Sequence, residues 1–402
     1  MKNIFLFLFT MTLGFGSYSQ SSMEYFLSGR EKCNQKNYQA AIVDLTKAIE
    51  LDTIFGDAYF WRGKSKLNLN DYTGAMADYN RAIAIDTTYA ERGSPLGQLQ
   101  KLPGTAAERE KMLGNDSIYA IAYGNRGNAK NGLKNYQGAL ADYNKAIEIN
   151  NSFAKFYGNR GNTKAILKDE QGALEDYNKA LELDNKLAYV YVERGILNAN
   201  QKKYGEAIND YNKALKIDSN YVYAYGNRAS ANSNLTNYDE AINDYNVSLK
   251  IDSEYAGANA NRGWIESKQK KYFLAIADYN KAIKLNEKVA NYYDNRGWAE
   301  ANVHSFESAW KDFDKAIEVD STYSFAYRNR AWIKANMMKD YQGAIRDYDK
   351  AIELNSTDGY TYYSKGLAEF KLGQLEAGCN DVSKSHELGY NDPESIIGAL
   401  CK

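Results

Sequence analysis

The sequence predicts an all-α solenoid in which stacked helix pairs share one elongated core. Arg126, Arg160, Arg194, Arg228, Arg262, Arg296 and Arg330 recur at a fixed interval of 34 residues. Each lies in a variant of one phrase, Tyr-x-Asn-Arg-Gly, followed about sixteen residues later by Asp-Tyr-Asn-Lys-Ala-Ile. Within each period, small and apolar residues recur three or four apart, the spacing of one helix face. Self-similarity at a period of roughly 20–50 residues is the signature of stacked repeats. One such helix pair cannot bury its apolar face alone, so its neighbours supply the core.

Unit 120–153 shows how each element arises. Tyr123, Gly127 and Lys130 share one face of a first helix expected over 120–133. Ala139, Tyr143, Ala146 and Ile147 do the same in a second helix over 137–149. Gly127 and Ala146 are small where two helix backbones approach. Asn135 with Tyr136 marks the turn between the helices, and Asn150-Asn151-Ser152 ends the second and caps the next.

These residues resemble the tetratricopeptide repeat, Trp-x2-Leu-Gly-x2-Tyr … Ala-x3-Phe … Pro. Tyr123, Gly127, Ala139 and Tyr143 fit the aromatic and small positions, while Arg126, Lys130 and Asn151 replace the leucine, second tyrosine and proline. The resemblance implies a right-handed superhelical solenoid of such helix pairs, with one side of every first helix on the concave surface.

Register divides the chain. Two units are expected over 22–89 and eight over 120–392, the unit 324–358 carrying one extra residue near Met337-Met338-Lys339. Between them, 90–119 is four residues short of a repeat and contains Pro95 and Pro103. Ser94-Pro95 can start a short helix bearing Leu96, Leu99 and Leu102. Thr105 with Glu108 forms a capping box for a second helix ending at Gly114. The segment reads as a degenerate repeat, the alternative being a disordered insertion. Asp392-Pro393 opens a C-terminal capping helix over 393–402, with Ile396, Ile397, Ala399 and Leu400 directed at the last repeat.

Residues 1–19 read as a secretory signal peptide: Lys2, an apolar run from Ile4 to Phe15, then small and polar residues to Gln20. The run is short for a membrane span, which needs about 20 apolar residues. No second apolar stretch follows, so no membrane insertion is expected after cleavage, and the chain is expected to be periplasmic or secreted. In such an oxidising compartment Cys379 and Cys401 could pair and pin the C-terminal cap, the alternative being two buried thiols.

Composition narrows the function. Fifty basic and 51 acidic residues give a net charge of −1, without the basic patch that nucleic acid requires. His304 and His386 are the only histidines, which argues against a histidine-based metal or proton-transfer centre. Phosphate loops and nucleophile motifs are missing, so neither enzyme nor cofactor is expected.

Three recurring constellations remain. An aspartate follows each arginine at constant spacing: Arg126 with Asp142, Arg160 with Asp176, Arg228 with Asp244 and Arg262 with Asp278. A charge in a helix interface must be paired, so these read as structural ion pairs. Before the arginine stands Asn125, Asn159, Asn227, Asn261, Asn295 or Asn329, interrupted by Glu193. An amide donates and accepts at once, so the ladder could hold a peptide backbone, or else bond neighbouring helices. Trp264, Trp298 and Trp332 stand three residues after an asparagine, where other units carry Asn128, Asn162, Ile196 or Ser230. Tryptophan is enriched in binding hot spots, so all three are expected on the concave face, exposed and touching ligand. Packing between repeats is the alternative.

A basic residue at Asn159, Asn227 or Asn261, which the family's chaperone-tail clamp would require, is missing. The expected role is a non-enzymatic scaffold that binds an extended segment of a partner protein or peptide. A glycan-binding tryptophan ladder and a structural spacer are the alternatives.

Overall fold

The computed structural model describes residues 20–91, 114–390 and 401. The signal segment, the short helix at Pro95 and the capping helix expected from Pro393 therefore lie outside the described residues. Among those described, every regular element is helical, and the fold is all-α.

Two compact units divide the chain at Gln201 and Lys202. The first holds α1 (Gln20–Asn34), α2 (Tyr38–Leu51), α3 (Gly56–Asn68), α4 (Tyr72–Glu91) and α5 (Gly114–Gly132). It continues with α6 (Tyr136–Ile149), α7 (Ala154–Ile166), α8 (Glu170–Leu183) and α9 (Ala188–Asn200). The second holds α10 (Tyr204–Ile217), α11 (Val222–Asn234), α12 (Tyr238–Ile251), α13 (Ala256–Lys268), α14 (Tyr272–Leu285) and α15 (Ala290–Asn302). It ends with α16 (Phe306–Val319), α17 (Ser324–Ile333), α18 (Tyr341–Leu354), α19 (Gly359–Lys371) and α20 (Leu375–Glu387).

Three local features depart from the expected elements. The helix expected from Thr105 lies outside the described residues, and α5, described from Gly114, takes in the residues before 120. No proline lies between Gly114 and Ala120, so helical hydrogen bonding extends backwards unhindered. Phe153, not Ser152, is the N-cap of α7 and gives no side-chain cap; Ser152 bonds Asn150 instead. The extra residue of the seventh regular unit is taken up by a π-helical turn, Lys334–Met338, just before the turn into α18. Wider i→i+5 bonding accommodates one residue without moving the flanking faces out of register.

The turn inside each repeat has a common build. Lys36, Asn70, Lys134, Lys168, Lys202, Thr236, Lys270, His304 and Lys339 all adopt left-handed backbone angles, with φ between 58° and 67°. In several, the next residue caps the second helix: Asn135 and Asp169 accept from the amides of Gly138 and Gly172 at 3.0 Å.

Cores form where first and second helices meet. Tyr143, Tyr177, Tyr211, Tyr245, Tyr279, Phe313 and Tyr348 are almost fully buried. A Cβ on Gly161 would sit 2.7 Å from the Tyr177 ring, which explains the small residue opposite that tyrosine.

The arginines link consecutive repeats. Arg160 donates through Nε and Nη2 to both oxygens of Asp176, at 2.8 and 2.6 Å. The same bidentate fork joins Arg126 to Asp142, Arg228 to Asp244 and Arg262 to Asp278. Each aspartate is buried. Nη1 then reaches back to the second helix of the preceding repeat: Arg160 to Asn144, Arg194 to Asn178, Arg228 to Asn212 and Arg296 to Asn280. Asparagine in the Asp-Tyr-Asn phrase is thus an inter-repeat acceptor, a role the sequence analysis did not assign. The arginine fills the leucine position of the repeat because all three of its nitrogens are satisfied there.

Candidate functional site

Trp264 and Trp298 project from α13 and α15 and are 39% and 40% exposed. Trp332, expected to be equally open, is half-buried. It packs on the cluster of Ala301, Ala309, Phe313 and Ile333, and its ring meets Trp298 edge-on at 6.0 Å between centroids. Of the three tryptophans, Trp264 and Trp298 are therefore the open pair, with Trp332 packed behind Trp298. Lys268 lies over the Trp264 ring at 5.0 Å.

The asparagines do not form one ladder. Asn329 is buried and donates to Asp294 at 2.9 Å, so it bonds the preceding repeat and faces no ligand. Asn159 donates to Asn128 at 2.8 Å and accepts from the Tyr189 hydroxyl at 3.3 Å. Asn128 also accepts from Tyr143, making a polar chain across three repeats. Both amides are thus committed to neighbouring repeats. Asn125 and Asn227 are half-buried. Asn261 is exposed beside Trp264, and Asn295, half-buried near Trp298, donates to Asn291 at 2.6 Å.

A second set of residues joins this surface. Arg328 of α17 has its guanidinium 4.7 Å over Phe325 and 5.5 Å from the Tyr360 ring centre. It donates to Asp358 at 3.0 Å, and Thr361 bonds the same carboxylate at 2.7 Å. Asp294 is 5% exposed, and burial lifts its carboxyl to about 6, partly offset by the Asn329 amide and Arg328. Sequence reasoning passed over Asp294 and Arg328, although a signal was present. They stand where other units carry Gly124, Gly158 and Gly226.

The arrangement offers stacking faces, amides and one held guanidinium. Among the described residues, no group of three or more His, Cys, Asp or Glu could hold a metal ion. No described helix is long and apolar enough to cross a membrane. Cys379 of α20 is bonded to Cys401, with 5.4 Å between Cα atoms, and Cys33 is a buried free thiol.

Family models of the tetratricopeptide repeat match residues 56–89, 120–153, 154–187, 188–221, 222–255 and 256–289. These six stretches cover just over half of the 402 residues. None of the curated proteins matches the chain in sequence. Among solved structures, a tetratricopeptide repeat protein from Parabacteroides merdae ATCC 43184 is similar at 22% identity and a TM-score of 0.50, over 62% of this chain and 97% of that one. YrrB, a tetratricopeptide repeat protein with an unusual peptide-binding site, is 23% identical over 46% of this chain and 95% of its own, with a TM-score of 0.40. Yeast Tom70 is 16% identical over 95% of this chain and 89% of its own, with a TM-score of 0.44. The 34-residue period, the paired helices and the six matched units together place the chain in the tetratricopeptide repeat family.

Proposed function

We propose that the chain is an exported, non-catalytic scaffold that holds an extended segment of a partner protein against the first helices of repeats 256–358. Tetratricopeptide arrays are in general protein–protein interaction scaffolds, and the finer assignment rests on one observation. Trp264 and Trp298 remain about two-fifths exposed at a repeat position where other units manage with asparagine, isoleucine or serine. Large rings left open at such a position fit a role in binding better than one in packing. Asn261 supplies an exposed amide that can pair with a peptide backbone. The edge-on Trp298–Trp332 pair, 65° between planes, does not offer the coplanar platform that a run of sugar rings would use.

Trp298→Ala is expected to weaken partner capture by a factor of about 30, equivalent to ~2 kcal/mol at a hot spot. Helicity and melting should be nearly unchanged, since repeats are held by many nearest-neighbour contacts. Wild-type and variant proteins immobilised in native extract, with the retained proteins quantified by mass spectrometry, give the comparison. Release by oligosaccharides instead of peptides would favour the glycan alternative, and equal retention by both baits would remove the tryptophan site.

Export is supported by the Cys379–Cys401 bond, because structural disulfides persist in oxidising compartments. Protein from the native host, denatured without reductant, is expected to take up one alkylating label, at Cys33, and three after reduction. N-terminal sequencing of the same material should begin near Gln20. Three labels before reduction, with Met1 retained, would place the protein in a reducing compartment.

A further inference from the structure

Most second helices carry a lysine bonded to a glutamate three residues on. Lys145–Glu148, Lys179–Glu182, Lys315–Glu318 and Lys350–Glu353 meet at 2.6–3.0 Å. In α10, α12 and α14, three consecutive second helices of one unit, the glutamate is replaced by Lys216, Lys250 and Lys284. All three are exposed. Lys213 and Lys281 stand at the partner position, so in these repeats a cation replaces the anion that other repeats carry. Asp218 and Asp252, which accept backbone amides of their own turns at 2.9 Å, keep their negative charge two residues beyond Lys216 and Lys250, as Asp184 and Asp320 do beyond Glu182 and Glu318. Glu254 and Glu287, in the turns that follow α12 and α14, are exposed. In a chain of net charge −1, this local excess is specific to three repeats.

The strip also has a shaped seat. A depression of about 440 Å³ is lined by Asn209, Asn212, Lys213, Leu215, Lys216 and Arg228. Arg228 is held by Asp244 and Asn212, leaving amide and ammonium groups around an apolar floor at Leu215.

We propose that α10, α12 and α14 form a cationic docking strip for an acidic, extended segment of a partner protein, whose carboxylates meet Lys216, Lys250 and Lys284 in turn. This strip lies on second helices and does not depend on the tryptophan site of the first helices. A concave seat within a row of single charges suits a linear chain better than a flat bilayer. A bilayer would also engage apolar groups beside the cations. The exposed Phe273 and Leu274 lie at the opposite end of α14 from Lys284, about 15 Å along the axis at 1.5 Å per residue. Electrostatic complementarity of this kind steers association and sets specificity.

The test is the triple variant Lys216→Glu/Lys250→Glu/Lys284→Glu, which installs the residue that neighbouring repeats already carry and so leaves the fold intact. Binding of a fluorescein-labelled oligoglutamate peptide to the full chain is followed by anisotropy, with oligoglutamine as the uncharged control and phosphatidylserine vesicles as a separate arm. Oligoglutamate is expected to bind, to weaken with added salt, and to lose affinity roughly tenfold or more in the variant. Oligoglutamine should not bind. Failure of oligoglutamate to bind, equal affinity in the triple variant, or binding of vesicles without binding of oligoglutamate would each overturn the proposal, the last assigning the strip to a membrane surface.

Discussion

Replacing Arg228 by leucine is expected to destabilise its unit by about 3–5 kcal/mol, because it strands a buried carboxylate. Asp244 is 3% exposed and takes both oxygens' bonds from that one guanidinium. Asn232 stands a helical turn beyond Arg228, where Lys164 stands beyond Arg160. Lys164 lies 2.9 Å from Asp176, so Arg160→Leu leaves a second cation in place and is expected to cost less. The double variant Arg228→Leu/Asp244→Leu should recover most of the loss, since exchanging a buried pair for apolar residues is often neutral. It leaves only exposed Asn212 without its partner, and water can take that bond. Thermal unfolding of Arg228→Leu, Asp244→Leu, the double variant and Arg160→Leu measures this. Harmless single changes would show that solvent screens the pair.

Acidification from pH 8 to about pH 5 is expected to stabilise the second unit, the reverse of ordinary acid denaturation. Where other repeats carry Lys66, Lys130, Lys164 or Lys334 one turn after the arginine position, three units carry Glu266, Glu300 and Glu369. Each glutamate has a buried oxygen without a hydrogen-bond partner. Burial first, then the neighbouring Asp278 or Asp312, pushes Glu266 and Glu300 up to about 7 from 4.5, with Arg262 and Arg296 opposing. Burial and Asp381 raise Glu369 in the same way.

Between pH 4.5 and 7 the folded unit therefore binds more protons than the unfolded chain, and stability falls as pH rises through that window. Each site should contribute on the order of 1 kcal/mol after solvent screening. Melting temperature measured across this range should fall with pH in the wild type and fall less steeply in Glu266→Gln/Glu300→Gln, which keeps Glu369 and Asp294. A wild-type profile that rises with pH would contradict the assignment.

Much of this architecture is legible in the sequence because one period repeats the same contacts. The 34-residue spacing of arginine and aspartate marks both helices, and residues that must be small, such as Gly161, recur with it. What escaped was set by packing between repeats, which no single unit reveals. Asn261 and Trp298 look equivalent to Asn329 and Trp332 by register alone. Asp294 and Phe313, both in the repeat before, decide that Asn329 and Trp332 turn inward. The π-helical turn was equally hidden: an added residue is visible in sequence, but its hydrogen-bond pattern is not.

The guanidinium that bridges two repeats also bears on how such a chain can change length. In both units the junction uses the same chemistry, an Nη1 donor of one repeat on the asparagine of the repeat before, as in Arg160 with Asn144 and Arg262 with Asn246. A duplicated or deleted 34-residue block would therefore join its new neighbours through contacts they already make. Genetic expansion and contraction need no compensating substitutions at such a seam. Only blocks with singular inward residues, such as Asp294 and Arg328, would be fixed in their order.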